Sequence, residues 1–404
     1  MARPSVYILY HFFYPDDVIS AEHKKDLALG LADRGWDVTV LTSDSYCRDP
    51  GKKILPLDEL WNGIRIIRIP RKSHDQSSMA GRLLNSFYMQ AGWRKRLKSM
   101  VEPDVLILGT DPQFSQFMLP IIRRMFPDTK LAIWTFDLYP EALEGTDSAM
   151  LRWIARALRP LMSALYSPVD FMIDIGPCMK ERLMRYGAGS SRHTVVPWAM
   201  VELDEPVHPE PEIRFELFGD AKLGVLYSGT IGQAHEVENF IALARRLRHM
   251  GTSVAFCFAG HGNRYSEVKS LVLKEDTNIR FAGFCPIEAL ELRLTSADMH
   301  MISLKQGWEG AVVPSKFFGA LAAAKPVLYD GTNESDIGIW MQKYDLGLRL
   351  TEDSVDEVAQ RLRDMSDAMH TLEKWQSHVL KIYHDHFSKA KNLDLWNEII
   401  KGTQ

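Results

Sequence analysis

The feature of this sequence that most constrains its fold is a repeated alternation of short apolar runs with amphipathic runs of helical period. The run SVYILYHFF (residues 5–13) is followed by the turn-like YPDD and then by AEHKKDLALGLADRGWDVTVLTS (residues 21–43), which predicts a helix, a glycine stop and a second strand. Continuous apolar runs of this length are typical of strands buried on both faces of a parallel sheet. The pattern therefore predicts α/β structure, with helices on both faces of each sheet.

The alternation occurs in two series. Strand-like runs are found first at residues 64–69, 104–109, 130–136, 170–176 and 193–197, and then at residues 222–232, 254–260, 279–284, 298–304 and 325–331. Between the series, VELDEPVHPEPEIRFE (residues 201–216) is acidic and contains prolines, which is typical of a linker. We therefore predict two Rossmann-like, doubly wound domains over residues 1–203 and 204–385, with a C-terminal helix over residues 386–404 that crosses back to the first.

Charge and cysteine usage exclude several classes of function. A formal net charge of −4 argues against a general nucleic-acid binder, whose affinity depends on a basic surface. Cys47, Cys178, Cys257 and Cys285 lack the paired spacing of a zinc or redox site. No run approaches the roughly 20 apolar residues of a membrane span, and the N-terminus lacks a cleavage pattern. We expect a cytoplasmic chain with no metal and no cofactor.

A glycine-rich turn follows the first strand of the second series. Ser228, Gly229, Thr230 and Gly232 belong to LYSGTIG, between a strand and a helix. Glycine lets backbone amides approach a ligand closely, and a helix N-terminus favours an anion, so this turn suits a pyrophosphate. The alternative is that the glycines serve the geometry of the turn alone.

A lysine stands where a helix is expected to begin. In VVPSKFFGALAAAKPVL (residues 312–328), Pro314 suits the first helical turn, and Ser315 and Lys316 follow it. A cation in a first turn is unfavourable unless an anion lies opposite, so Lys316 is a candidate ligand of an anionic group. A solvated surface lysine is the alternative interpretation.

Further candidates follow other strands of the two series. Gly260, His261 and Gly262 in FAGHG end one strand, and Gly283 ends IRFAGF, so we expect them at the same sheet edge. His261 is more typical of a turn residue than of an acid or base.

The first series contributes two carboxylates, Asp137 and Glu141 in IWTFDLYPE, at the end of a strand. A carboxylate there suits a base or a group that orients a hydroxyl, whereas capping of a following helix by Asp137 is an equal alternative.

Two segments mix aromatic with basic residues, SFYMQAGWRKRLKSM (residues 86–100) and LRWIARALRPLMSALY (residues 151–166). Basic amphipathic helices bind anionic membrane surfaces, so peripheral contact with the inner membrane face is one interpretation. Helices that face a core on one side and water on the other are the alternative.

Taken together, these motifs resemble retaining glycosyltransferases of family 4. YSGTIG, FAGHG, IRFAGF, ADMHMISL and VVPSKFFGALAAAKPVL occur in that family's order, and the first half resembles it through YHFFYPDD, LGTDP, FDLYPE and GPCMKERLMRYGAGSSRHTVVPW. The likeness extends over nearly the whole chain and is strongest to bacterial members that build O-antigens, capsules and exopolysaccharides. It implies the GT-B fold, in which two Rossmann-like domains face a central cleft.

The resemblance also implies roles for individual residues. The implied groups are the donor diphosphate site (Ser228, Gly229, Thr230, Gly232, Ser315, Lys316), the nucleotide site (Gly260, His261, Gly262, Gly283), the acceptor side (Asp16, Asp17, Glu141) and the catalytic set (Asp137, Lys316, Glu309). The chain departs from the family at three places. Gly319 replaces the second of two glutamates, Phe136 replaces a histidine, and DDVISA (residues 16–21) replaces a glycine pair.

The resemblance implies a metal-independent enzyme that transfers a sugar from a nucleotide diphosphate, with UDP as the expected nucleotide, to a lipid-linked or glycan acceptor in cell-surface polysaccharide synthesis. The departures motivate two alternatives. One is a degenerate scaffold that binds nucleotide or glycan without catalysis, and the other is a UDP-sugar epimerase of the same fold.

Overall fold

The computed structural model describes residues 3–47, 55–70, 79–146, 148–262 and 264–402. The chain divides into two compact units, each built on one sheet. Unit 1 comprises residues 1–196, 310–312 and 392–404, and unit 2 comprises residues 197–309 and 313–391. Both sheets consist mainly of parallel pairs, so the α/β class predicted from the alternation of runs is confirmed.

Unit 1 contains an eight-stranded sheet in the order β3-β4-β2-β1-β5-β6-β7-β8. Its strands are β1 (Ser5–Leu9), β2 (Asp37–Ser43), β3 (Asp58–Trp61), β4 (Ile64–Ile69), β5 (Val105–Gly109), β6 (Lys130–Trp134), β7 (Phe171–Asp174) and β8 (Ser191–Thr194). Its first helices are α1 (Ile19–Asp33), α2 (Met79–Leu97), α3 (Leu119–Met125), α4 (Ala149–Tyr166) and α5 (Pro177–Leu183), with 3₁₀ turns at Ser115–Met118 and Glu141–Leu143. Within the described ranges, the pairing of β3 with β4 is the one antiparallel pair of this sheet, and β3 is an edge strand that the sequence did not predict.

Burial explains why the central strands of unit 1 read as unbroken apolar runs. Every residue of β5 is buried, because β1 and β6 flank it within the sheet and helices cover the faces. The parallel pairs bring the carboxyl ends of β1, β5 and β6 to one edge. Residues that follow these strands therefore come together there.

Unit 2 contains a six-stranded, wholly parallel sheet in the order β11-β10-β9-β12-β13-β14. Its strands are β9 (Leu223–Thr230), β10 (Val254–His261), β11 (Ile279–Ala282), β12 (Met299–Ser303), β13 (Val327–Asp330) and β14 (Gly347–Leu350). Its helices are α6 (Pro211–Phe218), α7 (Glu238–His249), α8 (Tyr265–Leu271), α9 (Leu290–Thr295), α10 (Lys316–Ala322), α11 (Asp336–Tyr344), α12 (Val355–Asp367) and α13 (Met369–His386), with 3₁₀ turns at Ile287–Ala289 and Glu352–Ser354.

The predicted linker over residues 201–216 is partly helical, since its last six residues belong to α6. Helix α6 begins at Pro211, a first-turn position where the missing proline N–H has no intrahelical partner to lose. Arg214 donates hydrogen bonds to Asp298 Oδ2 at 2.8 Å and to the Ser296 carbonyl at 3.0 Å. These bonds hold α6 onto unit 2.

The last helix, α14 (Lys389–Lys401), carries residues from 392 onward into unit 1. Trp396 is fully buried there, with its ring 5.2 Å from that of Trp134 in an edge-to-face arrangement. A Cβ on Gly30 of α1 would lie 2.7 Å from Leu393 Cδ1, so this glycine permits the close approach of α14 to α1. A segment distant in sequence thus completes the core of unit 1.

Candidate active site

The glycine turn of unit 2 lies at the carboxyl edge of its sheet. Strands β9 and β10 stay paired as far as Thr230 and His261, so both end together. Gly229 and Gly260 have φ of +128° and +144°, a region that L side chains rarely adopt. A Cβ on Gly260 would also lie 2.1 Å from the Gly229 carbonyl oxygen. The turn itself therefore requires these two glycines, as the geometric alternative proposed.

The other glycines of this edge divide into two kinds. Gly262 has φ of +132°, and a Cβ there would lie 2.4 Å from the Ile231 carbonyl oxygen, so the backbone requires it too. Gly232 and Gly283 have no positive φ, and a Cβ at either would meet no atom within 4 Å. The fold does not demand glycine at these two positions, which leaves space beside the backbone for a ligand.

The side chain of Lys316 lies directly against the glycine turn. A Cβ on Gly229 would be 2.9 Å from Lys316 Cε. The ammonium nitrogen is 3.2 Å from His235 Nε2 and 5.3 Å from the centre of the Tyr227 ring. The side chain is half-buried, and burial lowers the pKa of Lys316 to about 8. This half-buried position does not fit the alternative interpretation, in which Lys316 is a solvated surface lysine.

His235 orients this lysine, and the sequence did not identify it. Its Nδ1 lies 2.9 Å from the Ser303 carbonyl oxygen, so we assign the ring proton to Nδ1, which donates to that carbonyl. Burial, the Lys316 charge and the charge of Arg264 lower the pKa of His235 to about 3, so the ring is neutral near pH 7. Nε2 then accepts a hydrogen bond from the ammonium. No feature of the run TIGQAH distinguishes this histidine from an ordinary turn residue.

Helix α10 begins later than the sequence suggested. Lys316 is its first residue, Ser315 is the N-cap without a side-chain capping bond, and Pro314 precedes the helix. The prediction that Pro314 lies in the first helical turn is therefore wrong. The helix has only seven residues, so the site rests on the position of the lysine side chain and not on the helix end.

Glu309 is half-buried in the loop between β12 and α10. Its carboxylate accepts hydrogen bonds from the Gly307 amide at 2.8 Å and from Thr332 Oγ1 at 3.4 Å. A Cβ on Gly319 would make only an ordinary contact of 3.8 Å with Leu294 Cδ1, so packing does not account for the absent side chain. The role of Glu309 stays a prediction.

The remaining predicted side chains of unit 2 flank the turn. His261 is exposed, with Nε2 3.5 Å from Thr230 Oγ1 and its ring 5.4 Å from that of Phe284. Ser228 is half-buried near the end of β9, opposite Ala259 of β10. The structure thus brings the predicted residues of β9 and β10 to one edge.

In unit 1, Asp137 follows β6 and its side chain is exposed. Crowding by protein atoms and the charge of Asp111 raise the pKa of Asp137 to about 6. Because solvent reaches the carboxyl and screens it, we expect titration between the ordinary value for aspartate and about 6. The capping alternative is wrong, since the next helical turn begins at Glu141 with Pro140 at its N-cap.

The three residues predicted for the acceptor side differ in their surroundings. Asp16 is buried, and its carboxylate accepts hydrogen bonds from the amides of Val18 at 3.3 Å and Cys47 at 2.6 Å, so it fastens its loop. Asp17 is exposed. Glu141 is buried and accepts a hydrogen bond from the Tyr186 hydroxyl.

Unit 1 contains a buried lysine that the sequence did not reveal. Lys24 of α1 is fully buried, and its ammonium nitrogen lies 3.8 Å from the ring centres of Trp134 and Phe136 and 4.6 Å from that of Tyr10. Burial lowers the pKa of Lys24 well below its ordinary value, while the charge of Asp111 opposes this shift. The ring faces also favour the charged form.

Replacing Lys24 with methionine is expected to stabilise the protein by about 1 to 4 kcal/mol near pH 7, since methionine fills similar space without a buried polar group. In the parent, folding lowers the pKa of this lysine, so its unfavourable contribution to stability is fully present at low pH and is lost as the pH rises toward the unfolded pKa near 10.4. Denaturant unfolding from pH 6 to 10 should therefore show the parent approaching the variant as the pH rises. A difference independent of pH would mean that the aromatic rings keep the lysine charged.

No group of three His, Cys, Asp or Glu side chains in the described ranges is placed to hold a metal ion. Among the helices of the same ranges, none is long and apolar enough to cross a membrane.

Comparison with known proteins gives a family-model match over part of the chain and a fold. Residues 21–199 match the model of a glycosyl transferase 4-like domain. The chain is similar to the probable glycosyltransferase WbjE of Pseudomonas aeruginosa, with 29% identity over 231 residues. That match covers 56% of each chain, so the similarity spans about half the length of this curated relative.

Solved structures extend the likeness to the whole chain. Sucrose-phosphate synthase from Thermosynechococcus elongatus superposes with a TM-score of 0.73 at 12% identity, over 99% of both chains. WaaG, a glycosyltransferase involved in lipopolysaccharide biosynthesis, gives 0.62 at 15% identity, over 98% of this chain and 100% of that one. Anabaena HepE in complex with UDP-glucose gives 0.64 at 11%, over 98% and 99%. The predicted resemblance to GT-B glycosyltransferases is confirmed, and the fold is GT-B.

Proposed function

We propose that this chain is a retaining glycosyltransferase that transfers a sugar from a nucleoside diphosphate, with UDP as the nucleotide, to a lipid-linked or glycan acceptor in bacterial cell-surface polysaccharide synthesis. The observation that carries the proposal is the contact of the Lys316 side chain with the glycine turn at Gly229. The similarity to WbjE and the UDP-glucose bound by HepE support the class of reaction and of donor.

The arrangement suits a diphosphate leaving group. When the bond between the anomeric carbon and the diphosphate oxygen breaks, negative charge develops on that oxygen. Lys316 and the backbone amides near Gly232 stabilise this charge, because donors that are already oriented need no rearrangement. His235 keeps the ammonium directed at the turn. In this proposal the protein itself neutralises the negative charge of the leaving diphosphate, a task that a metal ion performs in other enzymes.

The acceptor hydroxyl completes the reaction on the same face of the sugar. Its oxygen forms the new bond to the anomeric carbon, and its proton passes to the departing diphosphate oxygen, so atoms and charge balance. Asp137 orients the hydroxyl by accepting its hydrogen bond, a role that requires an ionised carboxylate.

The pKa of Lys316 predicts how donor binding depends on pH. Below about pH 8 the lysine is charged, and above it the neutral amine must take up a proton to meet the diphosphate. We expect the affinity for UDP to be constant between pH 7 and 8 and then to fall by up to about tenfold per pH unit. Calorimetry with UDP from pH 7 to 9.5 measures this, and Lys316→Met should bind weakly without the decline.

Gly232 allows a test of the diphosphate site without damage to the fold. Since a Cβ there meets no atom within 4 Å and φ is not positive, Gly232→Ala should unfold at the parent's temperature. If the diphosphate lies against this backbone, the methyl group should weaken UDP binding by roughly tenfold or more. Gly189→Ala is the matched control, because its Cβ also enters open space. Unchanged UDP affinity in Gly232→Ala would remove the residue from the site.

Catalysis is tested by UDP release from UDP-sugars, with and without a membrane extract as the source of acceptor. Release that depends on the extract supports transfer. The absence of glutamate at position 319 motivates the alternative of a scaffold, for which UDP would bind without any such release. Conversion of the UDP-sugar with no acceptor present would instead indicate an epimerase.

A further inference from the structure

Helix α2 has two apolar stripes, and the core of unit 1 accounts for only one. Met89, Trp93 and Leu97 repeat every four residues and are buried. Leu83 and Phe87 lie on a different stripe and are 41% and 67% exposed. An amphipathic helix that only faces a core has no need of the second stripe.

The second stripe forms one wall of a surface groove of about 660 Å³ within unit 1. The opposite wall contains Phe114, Phe117 and Ile121, from the 3₁₀ turn and α3, and Phe117 is 42% exposed. This volume lies within the range of sites that hold small apolar ligands. The groove is therefore large enough for hydrocarbon.

Two polar side chains of the groove, Ser86 and Gln90, already make hydrogen bonds within the protein. Ser86 Oγ donates to the Gln113 carbonyl at 2.5 Å, and Gln90 Nε2 donates to Ser86 Oγ at 2.9 Å and to the Phe114 carbonyl at 3.3 Å. Because these bonds lie within the protein, Ser86 and Gln90 offer few free hydrogen-bonding groups to a polar ligand. The surface that remains available is mainly hydrocarbon.

Three cations lie at one end of the groove, Arg94 and Lys95 in the last turn of α2 and Lys98 directly after it. All three are exposed, and no carboxylate of the described residues lies within ion-pair distance of them. Exposed aromatic side chains beside unpaired cations complement a surface that presents phosphate over hydrocarbon.

We propose that this groove docks onto an anionic phospholipid bilayer, with Phe87 and Phe117 entering the hydrocarbon boundary and Arg94, Lys95 and Lys98 contacting lipid phosphates. This inference rests on the proposed function, because docking on a bilayer would bring the chain to a lipid-linked acceptor. Helix α4, the other basic amphipathic segment, uses Ala155, Met162 and Tyr166 in the core and is not part of this surface.

Cosedimentation with vesicles of phosphatidylcholine, with and without phosphatidylglycerol, tests the proposal on the full chain. We expect the parent to bind the anionic vesicles, to bind pure phosphatidylcholine much more weakly, and to be released by salt. Phe87→Glu should reduce binding by roughly tenfold or more, because a charge replaces a side chain that enters the hydrocarbon boundary. Joint replacement of Arg94, Lys95 and Lys98 by glutamate should reduce it further.

Leu60→Glu is the matched control. Leu60 is 77% exposed on edge strand β3, outside the groove, so this variant should bind vesicles like the parent. Failure of the parent to bind anionic vesicles, or equal binding by Phe87→Glu and Leu60→Glu, would overturn the proposal. Lys316→Met should bind vesicles normally even where it loses turnover, so this result is independent of the proposed reaction.

Discussion

Replacement of Lys316 by alanine is expected to reduce turnover by at least about 100-fold, the loss that follows removal of one charge-stabilising donor in a preorganised site. The lysine is the cation that contacts the glycine turn, and His235 holds its ammonium 3.2 Å away. Loss of the charge should raise the barrier to diphosphate departure more than it weakens donor binding. The kcat and the KM for the UDP-sugar should therefore be measured separately.

Lys316→Met isolates the charge, because methionine keeps an unbranched apolar stem against Gly229 and Tyr227. It should be as slow as the alanine variant and unfold at or above the parent's temperature, since it removes a cation whose pKa is lowered by burial on folding. Lys274→Ala, at an exposed lysine of unit 2, controls for general loss of positive charge and should keep full activity. If Lys316→Met transfers sugar as fast as the parent, the diphosphate role of this residue is excluded.

Asp137→Asn is expected to reduce turnover by roughly 100-fold or more while UDP binding stays unchanged, since the neutral amide is a weaker hydrogen-bond acceptor than the ionised carboxylate that orients the acceptor hydroxyl. The raised pKa of Asp137 places an acidic limb on the parent's pH–rate profile, with activity lost as the pH falls through the range from about 6 downward. The variant should lack that limb.

Asp128→Asn is the matched control for this variant, because Asp128 is also an exposed carboxylate of unit 1. It should retain both the rate and the acidic limb. An acidic limb that persists in Asp137→Asn would assign the titration to another group. In that case the contribution of Asp137 would be structural or absent.

The sequence predicted what depends on local pattern. Unbroken apolar runs such as β5 are typical of strands buried inside a parallel sheet, and glycine after a strand is favoured where φ is positive, as at Gly229 and Gly260. The errors lie where two local rules compete. Prolines in residues 201–216 suggested irregular chain, yet Pro211 begins a helix because a first-turn proline loses no hydrogen bond.

The sequence did not indicate the surroundings of His235 and Lys24, because these depend on neighbours that only the tertiary structure brings together. His235 gains its role only from the Ser303 carbonyl, which β12 brings beside the turn from 68 residues away. Lys24 stands next to Lys25 in an amphipathic helix and reads as a solvated residue, until Trp134 and Phe136 are placed over it. Neither association leaves a signal in one sequence, because the contacts join segments that are far apart along the chain.

The burial of Trp396 against Trp134 also bears on the order in which the chain matures. Domains made early in translation commonly fold before the ribosome has finished the rest. Here the core of unit 1 is completed late, because the contacts of Trp134 and Gly30 with α14 form only after residues 392–402 have been synthesised. We expect the nascent N-terminal half to expose the Trp134 face to solvent during that interval.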